Sequence, residues 1–367
     1  MGLILFKRDE ICPVEERRAK DMATLSEAQL KIMPEMSEVL HTRYRFLQMI
    51  EMLGPIGRRG LAEQLSVAER EARRETDLLR EQGLIIASRS GMRISELGLE
   101  VLEVLKPLFY EWSGISTLEK QLTRTLGIQN VIIVDGNIDE VPSIKYLLGL
   151  EAAKQLEIVA SISKNVAVTG GSTLAAIADS LTPSENLTNL NFIAARGGMG
   201  VDMRLQANTI AATFASNTDN TYRTLYLPEH LSETAYQAII QEPVVKEMME
   251  LYDCTDVVIH GIGSAIEMAV RRESSEEEKQ SLLEKGAVSE AFGYYFDEQG
   301  NAVQRIRTVG IQIEQVNRCK SIIAVAGGKN KAKAILSYFK NGAKQSVLIT
   351  DSAAAKEMLR LLQEEQF

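Results

Sequence analysis

The spacing of hydrophobic residues changes near residue 127 of the 367-residue chain. Before this point, apolar residues recur mostly at helical intervals. After it, short apolar runs that end at glycine alternate with amphipathic segments. Helical intervals predict helices, and short apolar runs predict buried strands. The alternation over residues 127–367 therefore predicts an α/β domain with a parallel sheet that helices cover on both faces.

Residues 41–95 show the pattern of three helices followed by a two-stranded ribbon. The first helical repeat starts at Thr42 and ends at Gly54, and the second covers residues 58–65. Two apolar runs on either side of a Ser-Arg-Ser-Gly turn predict the ribbon. This order of elements is that of a winged helix-turn-helix, a variant of a DNA-binding geometry.

The third of these helices is the candidate DNA-recognition helix. Ser66 is its predicted N-cap, because Glu69 follows three residues later as in a capping box. The helix runs to about Gln82, with Ala72 and Leu79 facing inward. Arginines that face outward can pair with guanine in the major groove or with phosphates. The predicted DNA-binding residues of the helices and the wing are Arg58, Arg59, Arg70, Arg73, Arg74, Arg89 and Arg93.

Charge is distributed unevenly along the chain. The net charge of −9 argues against nucleic-acid binding by the whole surface. Residues 41–93, however, hold ten Arg against seven Asp or Glu, so this segment has a balance of +3 and the rest carries −12. A basic segment on an acidic body predicts one small module that faces a polyanion. Glu69, Glu71 and Glu75 alternate with the arginines of the third helix, so a solvent-exposed helix with Glu–Arg pairs is the alternative interpretation. These acidic residues also weaken the attraction of the module to DNA phosphates. We therefore predict that specific DNA binding needs at least a dimer.

Two segments flank this module. Residues 1–40 form a polar N-terminal extension, in which residues 25–40 have a helical pattern interrupted at Pro34. Residues 96–126 predict linker helices or a dimer contact, because their apolar residues recur at helical spacing. The expected domains are therefore the extension, the winged helix of residues 41–95, the linker and an effector and oligomerisation domain of residues 127–367.

Several classes of protein are disfavoured by composition. No run of about 18 apolar residues occurs, so we expect no membrane span. The start of the chain lacks the pattern of a signal peptide. Cys12, Cys254 and Cys319 are scattered, which predicts a reducing cytoplasm and no metal site.

Four loops of the α/β part end a predicted strand with glycine: TGGST, ARGGMG, HGIGS and AGGKNK. Ligands of open parallel sheets bind beyond the carboxyl ends of the strands. Glycine lets the backbone come close to a ligand, and the following helix presents N–H groups and a partial positive charge. One such loop alone is ordinary turn geometry, but together they predict a site for a phosphorylated ligand. They match neither the dinucleotide fingerprint nor the Walker A loop.

Cationic residues follow these loops. Arg196 comes directly after a strand, Arg271 and Arg272 end the helix after HGIGS, and Lys331 opens a helix after a glycine pair. Arginine can bind phosphate with two hydrogen bonds, whereas lysine acts more as a point charge. For Arg271 and Arg272, a favourable position at a helix C-terminus is an alternative explanation.

A winged helix followed by NVAVTGGSTLAAIADSL, ARGGMG and AGGKNKAKAI resembles the SorC family of sugar-responsive bacterial transcriptional repressors. The resemblance covers nearly the whole chain. It implies a Rossmann-like parallel-sheet effector domain similar to glucosamine-6-phosphate deaminases and ribose-5-phosphate isomerases. It also implies a homo-oligomer, dimer or tetramer, that binds operator DNA and uses no cofactor. The implied effector is a glycolytic sugar phosphate, chiefly fructose 1,6-bisphosphate.

The resemblance further implies a set of ligand-binding residues. The glycine turn and its hydroxyls would hold one phosphate, with cations and a second glycine pair nearby; these residues are Gly170, Gly171, Ser172, Thr173, Arg271, Gly328 and Lys331. The other phosphate or the sugar hydroxyls would contact Arg196, Gln206 and Glu290. A carboxylate suits hydroxyl donors and repels phosphate, and an exposed carboxylate before a turn is the alternative for Glu290.

The alternative function is that of a sugar-phosphate isomerase or deaminase. Such an enzyme needs a general base near the sugar carbonyl. His260, at a strand end, is the best candidate, since His230 lies in a predicted loop and His41 lies outside the α/β part. No acid and histidine occur at suggestive spacing, and the attached DNA module favours a sensor over an enzyme.

Overall fold

The computed structural model describes residues 32–198, 202–228 and 231–364. The chain folds as two compact units that divide between Trp112 and Ser113. Most of the predicted extension, residues 1–31, lies outside the described residues, as does His230. Within the described ranges, every helix is too short or too polar to span a bilayer.

The N-terminal unit has the predicted order of helices and ribbon. Its elements are α1 (Pro34–Leu53), α2 (Arg58–Leu65), α3 (Glu69–Glu81), β1 (Ile85–Ser88), β2 (Gly91–Ile94) and α4 (Glu96–Trp112). Strands β1 and β2 pair antiparallel, with Ile85 opposite Ile94. The core is apolar, with Phe46, Ile50 and Leu61 at most 1% exposed. The predicted order of three helices followed by a two-stranded ribbon is thereby confirmed.

The predicted N-cap at Ser66 is wrong. Ser66 adopts left-handed backbone angles, with φ of 54°, and caps the C-terminus of α2. Val67 N–H then donates to Ala62 O at 3.0 Å, which satisfies a carbonyl of the last turn. Helix α3 begins after Ala68, a residue whose side chain has no acceptor. The short connection between the two helices needs a left-handed residue, and this requirement outweighs the capping box.

The C-terminal unit is built on a seven-stranded parallel sheet. The strands of the unit are β3 (Asn130–Val134), β4 (Asn165–Val168), β5 (Asn191–Ala194), β6 (Thr221–Arg223), β7 (Val257–Gly261), β8 (Gly263–Ser264), β9 (Ser289–Ala291), β10 (Tyr294–Phe296), β11 (Ala302–Arg305), β12 (Ser321–Val325) and β13 (Ser346–Asp351). The large sheet has the order β3-β13-β12-β7-β4-β5-β6. All its neighbouring strands are parallel, which confirms the predicted fold class.

Helices cover both faces of this sheet. They are α5 (Ile115–Leu126), α6 (Ile144–Ala160), α7 (Ser172–Ser180), α8 (Ala207–Thr218), α9 (Glu233–Ile239), α10 (Pro243–Asp253), α11 (Ala265–Arg271), α12 (Glu276–Glu284), α13 (Ile313–Arg318), α14 (Ala332–Lys340) and α15 (Ser352–Glu364). One core lies between the sheet and helices α6, α7 and α8. A second core holds residues of α5, α10, α14 and α15. Neighbouring strand residues alternate between the two, as Val258 and Ile259 do, because side chains of a strand point to opposite faces.

A second, smaller sheet was not expected from the sequence. Its order is β11-β10-β9-β8, and its strands pair antiparallel. These strands are only two to four residues long, too short to show a periodic pattern. The small sheet matters because β9 carries Glu290.

The helices predicted as a linker pack within the two units. Leu102 of α4 belongs to the core of the N-terminal unit. Leu122 of α5 is fully buried in the core of the C-terminal unit. Each unit thus includes one of the two helices of residues 96–126.

Glu119 of α5 gives a prediction on stability. Burial raises the pKa of this carboxyl from 4.5 to about 7, although its Oε1 accepts the N–H of Ile133 at 2.7 Å. A raised folded-state pKa contributes stability that is complete below the unfolded pKa and is lost as pH rises through about 7. Glu119→Gln keeps an acceptor for Ile133 and removes the charge. We expect this variant to raise the melting temperature at pH 8 and to change it little at pH 4.5.

Arg124→Gln is the matched control for this measurement, since Arg124 is exposed on the same helix and is not among the charges that shift the pKa of Glu119. Equal stabilisation by Glu119→Gln at both pH values would contradict the assignment.

Candidate functional site

A cleft opens beyond the carboxyl ends of β4, β7 and β12. Its lining includes Thr169 after β4, Gly261 at the end of β7 and Val325 at the end of β12. The chain continues from β4 to β5 on one side, whereas β7 and β12 lie on the other, so the cleft sits where the strand order reverses. Its atom-free space is about 620 Å³, open solvent at the mouth included.

The turn after β4 forms one wall of the cleft. Gly171 has φ of 121° and donates its N–H to Leu205 O at 2.8 Å. A Cβ on Gly170 would lie 2.6 Å from the same oxygen. The two glycines therefore allow the short 3₁₀ turn Met203–Leu205 to pack against the chain. Since the N–H of Gly171 is engaged, the N–H donors for an anion come from the first turn of α7, which starts at Ser172.

Three cations surround this helix start. Lys145, at the start of α6, donates from Nζ to Ser172 Oγ at 3.1 Å. Burial lowers the pKa of Lys145, and the charge of Arg271 lowers it further. Burial and Arg271 also lower the pKa of Lys331, although Glu267 acts in the opposite direction. Burial is the larger cause for both lysines, and the added effect of Arg271 indicates that the like charges lie close enough to interact.

A buried ion network forms the opposite part of the lining. Arg272 Nη2 lies 2.7 Å from Glu290 Oε1, and Arg196 Nη1 lies 3.7 Å from the same oxygen. Arg272 also donates to Tyr295 Oη at 2.9 Å, and the N–H of Gly293 donates to Glu290 Oε1 at 2.7 Å. The carboxylate is 4% exposed, so the alternative of an exposed Glu290 is wrong.

The network fixes the charge states of its members. Burial alone would raise the pKa of Glu290, but the guanidinium groups of Arg272 and Arg196 bring it below its ordinary value. Burial lowers the pKa of Arg196 to about 10, aided by Arg272 and opposed by Glu290. At neutral pH, two guanidinium cations therefore face one carboxylate beside the cleft.

Eight of the ten predicted ligand-binding residues line this cleft. They are Gly170, Gly171, Ser172, Thr173, Arg196, Arg271, Glu290 and Lys331. Gln206 caps α8 behind the glycine turn, and a Cβ on Gly198 would lie 3.3 Å from its Oε1. Gly328, with φ of 100°, donates its N–H to Asp351 Oδ2 at 2.9 Å and precedes the 3₁₀ turn that ends at Lys331.

Sequence reasoning missed two charged residues at the site. Arg272 was considered as a cation after the HGIGS loop but was not among the predicted ligand-binding residues, yet it lines the cleft and holds Glu290. Lys145 precedes the glycine turn by one helix and one strand and belongs to no motif. The position of Lys145 could have been inferred only from the topology, because α6 and α7, the helices before and after β4, pack together.

His260 is a poor candidate for a catalytic base. The side chain is fully buried, and burial lowers its pKa to about 4. Its Nε2 lies 3.3 Å from Tyr338 Oη, and its ring packs on that of Phe292, with centroids 4.5 Å apart. Phe292 lines the cleft, so His260 occupies the layer behind the lining.

The predicted DNA-binding arginines differ in their surroundings. Most are exposed on α2, α3 and the β1–β2 hairpin, namely Arg59, Arg70, Arg73, Arg74, Arg89 and Arg93. Arg58 is held against α3 by a bond from Nη2 to Asp77 Oδ1 at 2.5 Å. Glu75 is buried and pairs with Arg43 at 3.1 Å and with Arg74 at 2.8 Å, so α3 is not simply a solvated helix.

Comparison with known proteins agrees with this division. Residues 39–109 match the family of the CggR N-terminal DNA binding domain. Residues 110–360 match Sugar-bind, a family of sugar-binding domains.

Individual relatives extend the match to most of the chain. The chain is 41% identical over 339 residues to the central glycolytic genes regulator of Bacillus subtilis, covering 92% of this chain and 99% of that protein. It is 42% identical over 340 residues to the protein of the same name from Priestia megaterium, with the same coverage. A crystal structure of a SorC family transcriptional regulator from Enterococcus faecalis has a TM-score of 0.62 and 40% identity, and covers 66% of this chain and 99% of that one.

These relatives are regulators and not isomerases or deaminases, so the enzyme alternative is set aside. The chain belongs to the SorC family of transcriptional regulators, with an N-terminal DNA-binding domain and a C-terminal sugar-binding domain.

Proposed function

We propose that the chain is a cytoplasmic repressor of glycolytic genes whose operator binding is modulated by fructose 1,6-bisphosphate. The observation that carries the proposal is the presence of two cationic regions in one cleft. One surrounds the start of α7, and the other is the buried network of Arg196, Arg272 and Glu290. A ligand with a phosphate at each end fits this charge pattern. The name of the relatives, regulators of central glycolytic genes, agrees with such an effector.

One phosphate binds at the start of α7 in this proposal. The hydroxyls of Ser172 and Thr173 and the first N–H groups of the helix donate to its oxygens, and the helix dipole favours the negative charge. Arg271 and Lys331 supply full positive charges. Charge-assisted hydrogen bonds of this kind are about twice as strong as neutral ones.

The other end of the ligand lies near the buried network. Arg196 attracts the second phosphate, and Glu290 accepts hydrogen bonds from sugar hydroxyls. Gln206 and Gly328 shape the cleft through the backbone turns that they flank. A sugar with one phosphate would fill only one cationic region, so we expect it to bind more weakly than the bisphosphate.

Regulation follows from linkage between the two domains. The protein binds its operator as a homo-oligomer, dimer or tetramer, with paired winged helices on paired half-sites. The effector changes operator affinity only to the extent that it binds one arrangement of the subunits more tightly than another. No catalytic step and no cofactor are required.

Thr173→Asp tests the ligand site. The new carboxylate would lie at the start of α7, where it satisfies the helix N-terminus and repels phosphate. We expect fructose 1,6-bisphosphate to raise the melting temperature of the wild-type protein and of Thr173→Ser, but not of Thr173→Asp. Operator binding by all three proteins, measured by fluorescence anisotropy, should be equal within about twofold, since variation of this size is under 0.5 kcal/mol. An unchanged thermal shift in Thr173→Asp would place the ligand elsewhere.

Arg70→Ala tests the DNA-binding surface. Arg70 is exposed in the first turn of α3, the part of a recognition helix that reaches base edges. We expect the variant to weaken operator binding by about 1–3 kcal/mol, the usual cost of losing one such arginine. Binding of fructose 1,6-bisphosphate should not change.

Arg80→Ala is the matched control, because Arg80 lies at the other end of α3 and pairs with Asp77 at 3.4 Å. Equal loss of operator affinity in both variants would indicate that α3 does not enter the groove by its N-terminus.

A further inference from the structure

Lys145 is connected to the glycine turn through a single hydroxyl. It lies in the first turn of α6, and its Nζ donates to Ser172 Oγ at 3.1 Å. The bond joins two helices that pack side by side on the same face of the sheet. Because the hydroxyl oxygen accepts from an ammonium group, its own proton is available to donate to a further acceptor. Lys145 therefore contacts the lining of the cleft through the side chain of Ser172.

The charges around Ser172 make this position costly without an anion. The charge of Arg271 lowers the pKa of both Lys145 and Lys331, in addition to the larger effect of burial, so these like charges repel one another. The carboxylates of Glu267 and Asp139 raise the pKa of Lys331 and thus offset part of this repulsion. A helix N-terminus adds a further partial positive charge at the same place. Such an arrangement is stabilised by an anion bound among the three cations.

We propose that Lys145 is a ligand-binding residue of the cleft, which binds the same phosphate as Ser172 and makes that subsite selective for a doubly charged phosphate monoester. The inference rests on the proposed function, since it deepens the description of the same cleft. The ammonium group stabilises the phosphate directly by charge and indirectly by polarising the Ser172 hydroxyl, because linked hydrogen bonds strengthen one another.

The selectivity follows from the number of cations. A phosphate monoester carries a charge of about −1.5 to −2 at pH 7. A sulfate ester of the same shape carries a single negative charge. Three cations favour the more highly charged ester, so removal of one of them should reduce the preference as well as the affinity.

Lys145→Gln is the variant that tests the proposal. Glutamine can still donate a hydrogen bond to Ser172, so the fold is kept while the charge is removed. We expect isothermal titration of the full chain to show about 10- to 100-fold weaker binding of fructose 1,6-bisphosphate, the loss typical of a hydrogen bond to a charged group. Lys145→Arg, which keeps the charge, should retain most of the affinity.

Lys154→Gln is the matched control. Lys154 lies on the same helix but is exposed and pairs with Glu151 at 2.6 Å. This variant should bind fructose 1,6-bisphosphate as the wild type does. The ratio of affinities for fructose 6-phosphate and fructose 6-sulfate is the second readout, and it should fall in Lys145→Gln and stay unchanged in Lys154→Gln.

The outcomes separate this inference from the proposed function. Wild-type protein that binds none of these sugar phosphates would overturn the proposed function itself. Wild-type binding together with unchanged affinity and unchanged ester preference in Lys145→Gln would overturn the role of Lys145 alone. Equal losses of affinity and of ligand-free melting temperature in Lys145→Gln and Lys145→Arg would show a structural role and would also overturn it.

Discussion

Repulsion among cations at the carboxyl edge of the parallel sheet is the constraint on which the effector domain depends. The sheet order brings the start of α7, the end of α11 and the turn before α14 to one cleft. Lys145, Arg271 and Lys331 thereby meet around the first residue of a helix whose dipole is also positive. Close packing of the surrounding elements holds these cations in place, and in the proposed function a bound anion would offset their repulsion.

The small antiparallel sheet provides the other half of the cleft. It places Glu290 between Arg196, which follows β5, and Arg272, which follows α11. Breaking a buried pair of this kind typically costs about 3–5 kcal/mol, because the remaining charge stays desolvated. Elements distant in sequence are thus fixed relative to one another beside the cleft.

The hydrophobic pattern predicted the large parallel sheet and the winged helix, but neither the small antiparallel sheet nor the full set of residues at the site. The parallel sheet and the winged helix follow from local periodicity. Ten ligand-binding residues were predicted from loops and from family resemblance, and eight of them line the cleft. The burial of Glu290 and the positions of Arg272 and Lys145 depend on contacts across the fold, which no local pattern encodes. Ser66 shows the same limit on a small scale, because the geometry of a tight turn overrides the preference of its residue type.

The central claim is that both phosphates of a sugar bisphosphate occupy this one cleft. A crystal structure of the protein with fructose 1,6-bisphosphate tests it most directly. The account predicts one phosphate within hydrogen-bond distance of Ser172 and Thr173, and the other end of the ligand beside Arg196 and Glu290. Density for the sugar at any other place, with the start of α7 free of phosphate, would contradict it.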